Sequence, residues 1–261
     1  MRVANKIIAV TGGGEGIGRA LCEQFKVEKA KAIAVIDIDL AKAREVAARI
    51  GGLALQADVS REEDVVRVVA EAEHQLGAID LFCSNAGVLR PDSQRDQCAS
   101  SPNADWQWHW DVNVMSHVYA TRALLPQMIT RGEGYILITV SAAGILSQIG
   151  AAAYTATKHA ALGFAESLAI THGRQGIQVS ALCPQVVDTP MAQTIGEGAV
   201  VAGRILPAET VAQKTIEGLE AETFLIFPHE ETRTYIEHKA ADTDRWLFGM
   251  QRLRAELLDG I

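Results

Sequence analysis

Short runs of β-branched and apolar residues alternate with longer stretches of helical period along most of the chain. The runs predict strands at Lys6–Thr11, Ala32–Asp37, Leu53–Ala57, Leu81–Asn85, Tyr135–Val140, Gln178–Cys183 and Phe224–Phe227. Between them the pattern predicts helices at Gly16–Glu28, Leu40–Ile50, Glu62–Gln75, Trp108–Thr130, Ala152–His172 and Ala208–Leu219. Glu230–His238 and Thr243–Leu258 read as helical additions after the last strand. Strict alternation of strand and helix argues for a parallel sheet covered by helices on both faces. Right-handed crossovers then wind it into an α/β, Rossmann-like, doubly wound sheet of seven strands. A closed eight-stranded barrel is the competing form, but an eighth repeat is missing and its phosphate-binding turn normally comes late in the chain. No repeat or linker divides the 261 residues, so one domain is expected. The least regular stretch is Arg90–Asp105, polar and holding Pro91 and Pro102; it reads as either a loose loop or part of a site's rim.

Composition narrows the function mainly by exclusion. A 48% hydrophobic and 21% charged chain is ordinary for a globular protein. The formal net charge of −8, without a basic run, offers no general attraction to nucleic acid or anionic membranes. Met1–Lys6 leads into the first strand without a signal-peptide pattern, and no apolar stretch is long enough for a membrane span. Cys22, Cys83, Cys98 and Cys183 are scattered, which suits reduced thiols in the cytoplasm. Zinc-protease, Gly-x-Ser-x-Gly and Walker motifs are all missing, so no metal site and no serine-hydrolase chemistry is expected.

The first strand runs into Thr11-Gly12-Gly13-Gly14-Glu15-Gly16-Ile17-Gly18 and then a helix. Glycines there let the backbone turn tightly against a pyrophosphate, whose charge the free N–H groups of the helix start attract. Asp37 ends the second strand, where a carboxylate can accept hydrogen bonds from a ribose diol. Glu15 and Asp39 add negative charge that would repel a 2′-phosphate, while Lys42 and Arg44 fall at helical positions past the binding end. NAD is therefore expected, with NADP the less favoured cofactor.

Tyr154 and Lys158 stand four residues apart on one predicted helix face, thirteen residues after Ser141. A lysine ammonium there should lower the phenol's pKa, and the phenol can then exchange a proton with a substrate oxygen held by the serine. The spacing alone does not decide, because Tyr235 and Lys239 repeat it, with Glu222 where the first copy has Ser141.

The motifs occur in order: the glycine turn, Asp58-Val59, Asn85-Ala86-Gly87, Asn113, Ser141, and Tyr154 with Lys158. From Lys6 to Phe227 the chain resembles the short-chain dehydrogenase/reductase superfamily, in its single-domain branch. The resemblance selects the Tyr154 copy and implies the remaining roles. Gly12, Glu15, Gly16, Ile17 and Gly18 would hold the pyrophosphate side of the nucleotide. Asp58 and Val59 would contact adenine, and Asn85, Ala86 and Gly87 would line the adenosine ribose and brace the sheet. Lys158, beside Tyr154, would also hold the nicotinamide ribose. Asn113 would hold a relay water, Thr189 would anchor the nicotinamide carboxamide, and Pro184 and Val187 would line the same cofactor. Two positions depart from the family: Gln185 stands where a glycine usually follows the proline, and Lys29 where a glycine commonly ends the first helix.

Substrate-facing positions implied by the family are Ile145, Ser147, Gln148, Ile149, Gln185, Val186 and Met191, together with Ser141. They are mostly apolar and lack an arginine clamp, which points to a hydrophobic secondary alcohol or its ketone. Residues 189–206 form the expected substrate loop, with Ala192–Gly203 as a candidate lid. Small residues from Ala151 to Ala165 suggest close packing of another helix, and the resemblance implies a homotetramer, or a dimer, through this helix and that of Asn113. Trp106, Trp108 and Trp110 read as core and helix-entry packing. A reductase of 3-oxoacyl thioesters using NADP is the near alternative, and a catalytically silent nucleotide-binding scaffold is the alternative of another class.

Overall fold

The computed structural model describes residues 1–94, 96–195 and 204–259. Strands β1 (Ile7–Thr11), β2 (Ala32–Asp37), β3 (Leu53–Gln56), β4 (Leu81–Ser84), β5 (Gly134–Thr139) and β6 (Ile177–Leu182) alternate with helices, as the polarity pattern requires. The helices are α1 (Gly16–Val27), α2 (Leu40–Ile50), α3 (Glu62–Leu76), α4 (Asn103–Trp110), α5 (Ser116–Arg131) and α6 (Ala152–His172). Then follow β7 (Val187–Asp188), α7 (Pro190–Ile195), β8 (Leu206–Pro207), α8 (Ala208–Glu220), β9 (Leu225–Ile226), α9 (Glu231–Ala241) and α10 (Thr243–Asp259).

Seven strands form one parallel sheet in the order β3-β2-β1-β4-β5-β6-β9. Alternate residues of each strand enter opposite cores. Ile8 and Val10 pack with Leu21, Phe25, Val46 and Val211 on one face, while Ala9 packs with Val69, Phe82, Leu124 and Leu168 on the other. Burying Phe25 or Phe82 alone contributes about 1.5–3 kcal/mol. Strand order reverses between β1 and β4, which opens a crevice at their carboxyl ends. Glycine is obligatory at this opening. A Cβ on Gly12 would lie 3.0 Å from Ala86 Cα, and one on Gly18 would collide with Gly12 O.

Several expectations need correction. The predicted helix from Trp108 begins earlier, at Asn103 behind Pro102, and is interrupted by a π-helical turn, Asp111–Met115, centred on Asn113. Trp108 and Trp110 are not core residues: they are 36% and 44% exposed, because α4 lies at the surface rather than against the sheet. The small residues of α6 divide between two faces. Ala153, Ala161 and Ala165 pack into the chain's own core, whereas Ala156 and Gly163 are exposed. Most of the candidate lid, residues 196–203, lies outside the described residues. Its flanks pair as a two-stranded parallel sheet, β7 with β8.

Candidate active site

A cavity of about 910 Å³ runs along the carboxyl ends of the central strands. At one end lie Gly12, Glu15, Gly16, Ile17, Asp37, Asp58 and Val59; in the middle come Asn85, Ala86, Gly87, Ser141, Tyr154 and Lys158; Pro184, Gln185, Val187, Thr189 and Met191 border it further on. The predicted catalytic and cofactor residues thus converge on one cleft, except Asn113, which stands behind it, and Gly18, which packs against Gly12 and Asn85.

Local structure at the first end suits an anionic, dinucleotide-shaped group. Helix α1 starts inside the cleft, and no side chain caps its N-terminus, so its first N–H groups can meet a pyrophosphate. Asn85 ties the crevice together: it donates from its backbone to Thr11 Oγ1 at 2.9 Å and from Nδ2 to Thr11 O at 3.0 Å, and accepts from Thr139 Oγ1 at 3.0 Å. Asp37 accepts from Gly14 N and Asp39 N, both at 2.9 Å, so its carboxylate braces the glycine turn as well as facing the cleft. Asp58 braces the next loop, accepting from Ser60 N at 3.0 Å and Ser60 Oγ at 2.7 Å.

Lys42 departs from expectation. Asp39 caps α2, bringing its first turn against the glycine turn, and Lys42 Nζ pairs with Glu15 there. Its charge therefore sits at the binding end, balanced by Glu15.

At the chemical end Ser141 adopts φ 137° and ψ 155°, a conformation that side chains with a Cβ rarely take and that costs about 1–3 kcal/mol. The strain is held by Ala142 N donating to Pro184 O at 2.8 Å and Ala143 N donating to Ser141 Oγ at 3.1 Å. The Ser141 hydroxyl stands beside the Tyr154 phenol and favours its ionised form. Lys158 Nζ lies 5.6 Å from the Tyr154 ring centre and donates to Thr139 O at 2.9 Å, its one hydrogen bond among the described residues. Asn113 is fully buried: Oδ1 accepts from Val88 N at 2.8 Å, and Nδ2 donates to Val88 O at 2.9 Å and Thr157 Oγ1 at 3.2 Å. It therefore clamps the segment that follows Gly87 to α6.

The electrostatics also differ from expectation. Burial pushes the Tyr154 phenol above its usual pKa, opposed by the Ser141 hydroxyl. Burial lowers Lys158 to about 8. Desolvation of the phenolate outweighs the influences that favour it.

Among the substrate-facing positions, Ser147, Gln148, Ile149, Gln185, Val186 and Met191 border the cleft, and Ile145 does not. Ile145 packs against the core, and its neighbour Leu146 takes the cleft position. Gln185 is tied away from the cleft by one of its amide donors: Nε2 donates to Thr232 Oγ1 at 2.9 Å. Arg90–Asp105 is rim rather than loose loop at its start. Pro91 borders the cleft, Arg90 pairs with Asp105 and stacks on Trp108, and Asp92 accepts from Ala152 N at the start of α6.

The short chain dehydrogenase family model matches residues 6–199, which include the glycine turn, Ser141, Tyr154 and Lys158. The chain is a short-chain dehydrogenase. It is 33% identical over 252 residues to 1-deoxy-11-beta-hydroxypentalenate dehydrogenase of Streptomyces exfoliatus, across 94% of this chain and 90% of that one. A short chain dehydrogenase/reductase from Burkholderia phymatum in complex with NAD has a TM-score of 0.84 at 25% identity, covering 94% of this chain and 96% of that one. The 3-ketoacyl-(acyl-carrier-protein) reductase from Brucella melitensis, complexed with NADH, has a TM-score of 0.79 at 28% identity, covering 86% and 97%.

This short-chain dehydrogenase also carries cleft residues that sequence reasoning missed. Ile38 is 64% exposed yet borders the nucleotide end beside Val59; an exposed apolar residue directly after Asp37 was the available signal. Tyr235, Trp246, Met250, Leu253 and Leu257 form the far wall, although the sequence marked their helices only as additions. No helix among the described residues is long and apolar enough to cross a membrane, and no metal-binding cluster occurs among them.

Proposed function

We propose that the chain is an NAD-dependent oxidoreductase acting between a mainly hydrophobic secondary alcohol and its ketone, with Tyr154 as general acid–base. The carrying observation is that Ser141, Tyr154 and Lys158 meet in a cleft whose other end presents an uncapped helix start and Asp37. NAD, when bound, supplies the hydride acceptor. Ser141 holds the substrate oxygen, and Tyr154 donates a proton to it in reduction or removes one in oxidation. The raised phenol pKa makes the protonated form the resting one at neutral pH, so reduction meets a ready acid and oxidation accelerates as pH rises. Among the described residues Lys158 bonds only Thr139 O, which leaves donors for ribose hydroxyls, and Thr189, which borders the cleft, would anchor the carboxamide.

Asp37 favours an unphosphorylated ribose, which supports NAD over NADP. The four free thiols support a cytoplasmic setting, and the exposed Trp110, Ala156 and Gly163 on α4 and α6 support assembly into a homotetramer. The likeness to the Brucella reductase favours 3-oxoacyl thioester reduction as a second reading. An NAD⁺ screen against varied secondary alcohols, run beside an NADH and NADPH screen against 3-oxoacyl thioesters, separates them. Tyr154→Phe should lower turnover about 10²-fold or more with NADH binding retained; unchanged turnover would sink the mechanism.

A further inference from the structure

Two features that the proposed chemistry leaves unexplained meet at the far end of the cleft. One is the second Tyr-x-x-x-Lys, Tyr235 to Lys239; the other is Gln185 in place of the family's glycine. Lys239 of α9 donates to Ile145 O at 2.6 Å and Leu146 O at 3.2 Å, carbonyls just beyond the Ser141 turn. Its ammonium also lies 4.8 Å from the Trp246 ring centre. Gln185 reaches Thr232, a fully buried residue on the same helix. Helix α9 is thereby pinned to both loops that flank Tyr154, the one after β5 and the one after β6.

The chain then turns into α10, which presents Trp246, Met250, Leu253 and Leu257 to the cleft. Their spacing of four, three and four residues puts them on one helical face, while Leu247 and Phe248 point away, 46% and 64% exposed. Charged side chains among the described cleft residues are Glu15, Asp37 and Asp58 at the nucleotide end and Lys158 beside Tyr154. None stands on the hairpin wall, so an anionic tail would find no counter-charge there. Lys239 does not border the cleft: two of its donors engage carbonyls and its ammonium lies over the Trp246 ring.

We infer that the α9–α10 hairpin is the hydrocarbon subsite of this enzyme, seated by the positioning residues Lys239 and Gln185, and that it selects extended apolar alcohols and ketones over short or anionic ones. The inference rests on the proposed alcohol–ketone reaction and deepens it. Met250 and Trp246 supply an adaptable and a rigid surface for such a chain.

Secondary alcohols from 2-butanol to 2-decanol, oxidised with NAD⁺, test this directly. In the wild type kcat/KM should rise about three- to four-fold per added methylene until the wall is filled, the factor that burial of a CH₂ supplies. The rise should fall in KM rather than kcat. Lys239→Met and Trp246→Ala should each flatten the series, whereas Lys239→Arg, which can still donate to both carbonyls, should keep most of the slope. A flat wild-type series, or variants that lose the same factor at every chain length, overturns the subsite. If no alcohol is oxidised the oxidoreductase reading fails first. The subsite is then read by titrating 2-ketones of the same lengths into NADH-loaded protein: affinity rising three- to four-fold per methylene upholds it, and length-independent affinity overturns it.

Discussion

Replacing Lys158 with methionine should change how the protein's stability responds to alkaline pH, by an amount that burial sets. Lys158 is 3% exposed, and burial holds its pKa at about 8 instead of 10.5. Below about pH 8 both the folded and unfolded chains carry the proton, and the folded chain bears the full cost of a buried charge. Between about 8 and 10.5 the unfolded chain holds the proton while the folded chain has released it, so rising pH favours folding. Above 10.5 the cost is gone. A difference between 10.5 and about 8 corresponds to about 3 kcal/mol, at about 1.36 kcal/mol per pH unit. Urea unfolding without added nucleotide, followed by tryptophan fluorescence from pH 7 to 10.5, gives both stability curves. Wild type minus Lys158→Met should be level below pH 8 and then climb by about 3 kcal/mol. Loss of the bond to Thr139 O shifts the whole difference curve without bending it. Titrations common to both proteins cancel. A level difference across the range, or one that falls with pH, would refute the assignment of a cationic lysine buried at its own expense. The same variant should lose turnover at neutral pH, which separates its role in stability from its role in the reaction.

Three further outcomes follow from single contacts. Asp37→Ser should lower the kcat/KM preference for NAD⁺ over NADP⁺ about ten-fold or more, as loss of a charged hydrogen-bond acceptor implies; a wild type that already prefers NADP⁺ contradicts the cofactor reading. Asp92→Ala should destabilise the fold by about 1 kcal/mol because Ala152 N at the start of α6 loses its acceptor, and Asp92→Asn should recover most of this in thermal unfolding; equal melting points for the two variants would disprove the capping role. Lys29 occupies φ 60°, so Lys29→Gly should stabilise by up to about 1 kcal/mol, and a lower melting point would count against strain there.

The parts legible in the sequence are those in which short-range chemistry dictates the result. Each of the seven sheet strands carries an apolar run that must be buried, and the strand ends fall within a residue or two of where the pattern stops. The glycine turn, Asp37, Ser141, Tyr154 and Lys158 converge because a parallel sheet puts every strand's carboxyl end on one edge. Lys29 illustrates the same logic in reverse: the missing glycine left a left-handed backbone that lysine now occupies. Signals that depend on tertiary surroundings were not legible. The charge of Lys158 suggested a lowered Tyr154 pKa, and burial of the phenol, a property of the folded cleft, reverses the sign. Lys42 looked remote along α2 until Asp39 capped that helix against the glycine turn.

The C-terminal hairpin shows why one motif can be both misplaced and meaningful. Tyr235 and Lys239 share the spacing of the chemical pair because both pairs lie one turn apart on helices that face the same cleft. What separates them is surroundings. Lys158 is buried beneath the crevice with Thr139 O as its protein partner, whereas Lys239 is half-exposed and bound to the two carbonyls that follow the Ser141 turn. The first arrangement leaves an ammonium able to meet a ligand; the second uses the ammonium to fix a wall. Gln185 makes the same point from the opposite loop: a glycine there could not reach Thr232, so the departure from the family residue and the presence of the hairpin are one structural fact. In a fold whose central chemistry is shared, the side chains that distinguish this enzyme are therefore those that join the shared cleft to its own C-terminal helices.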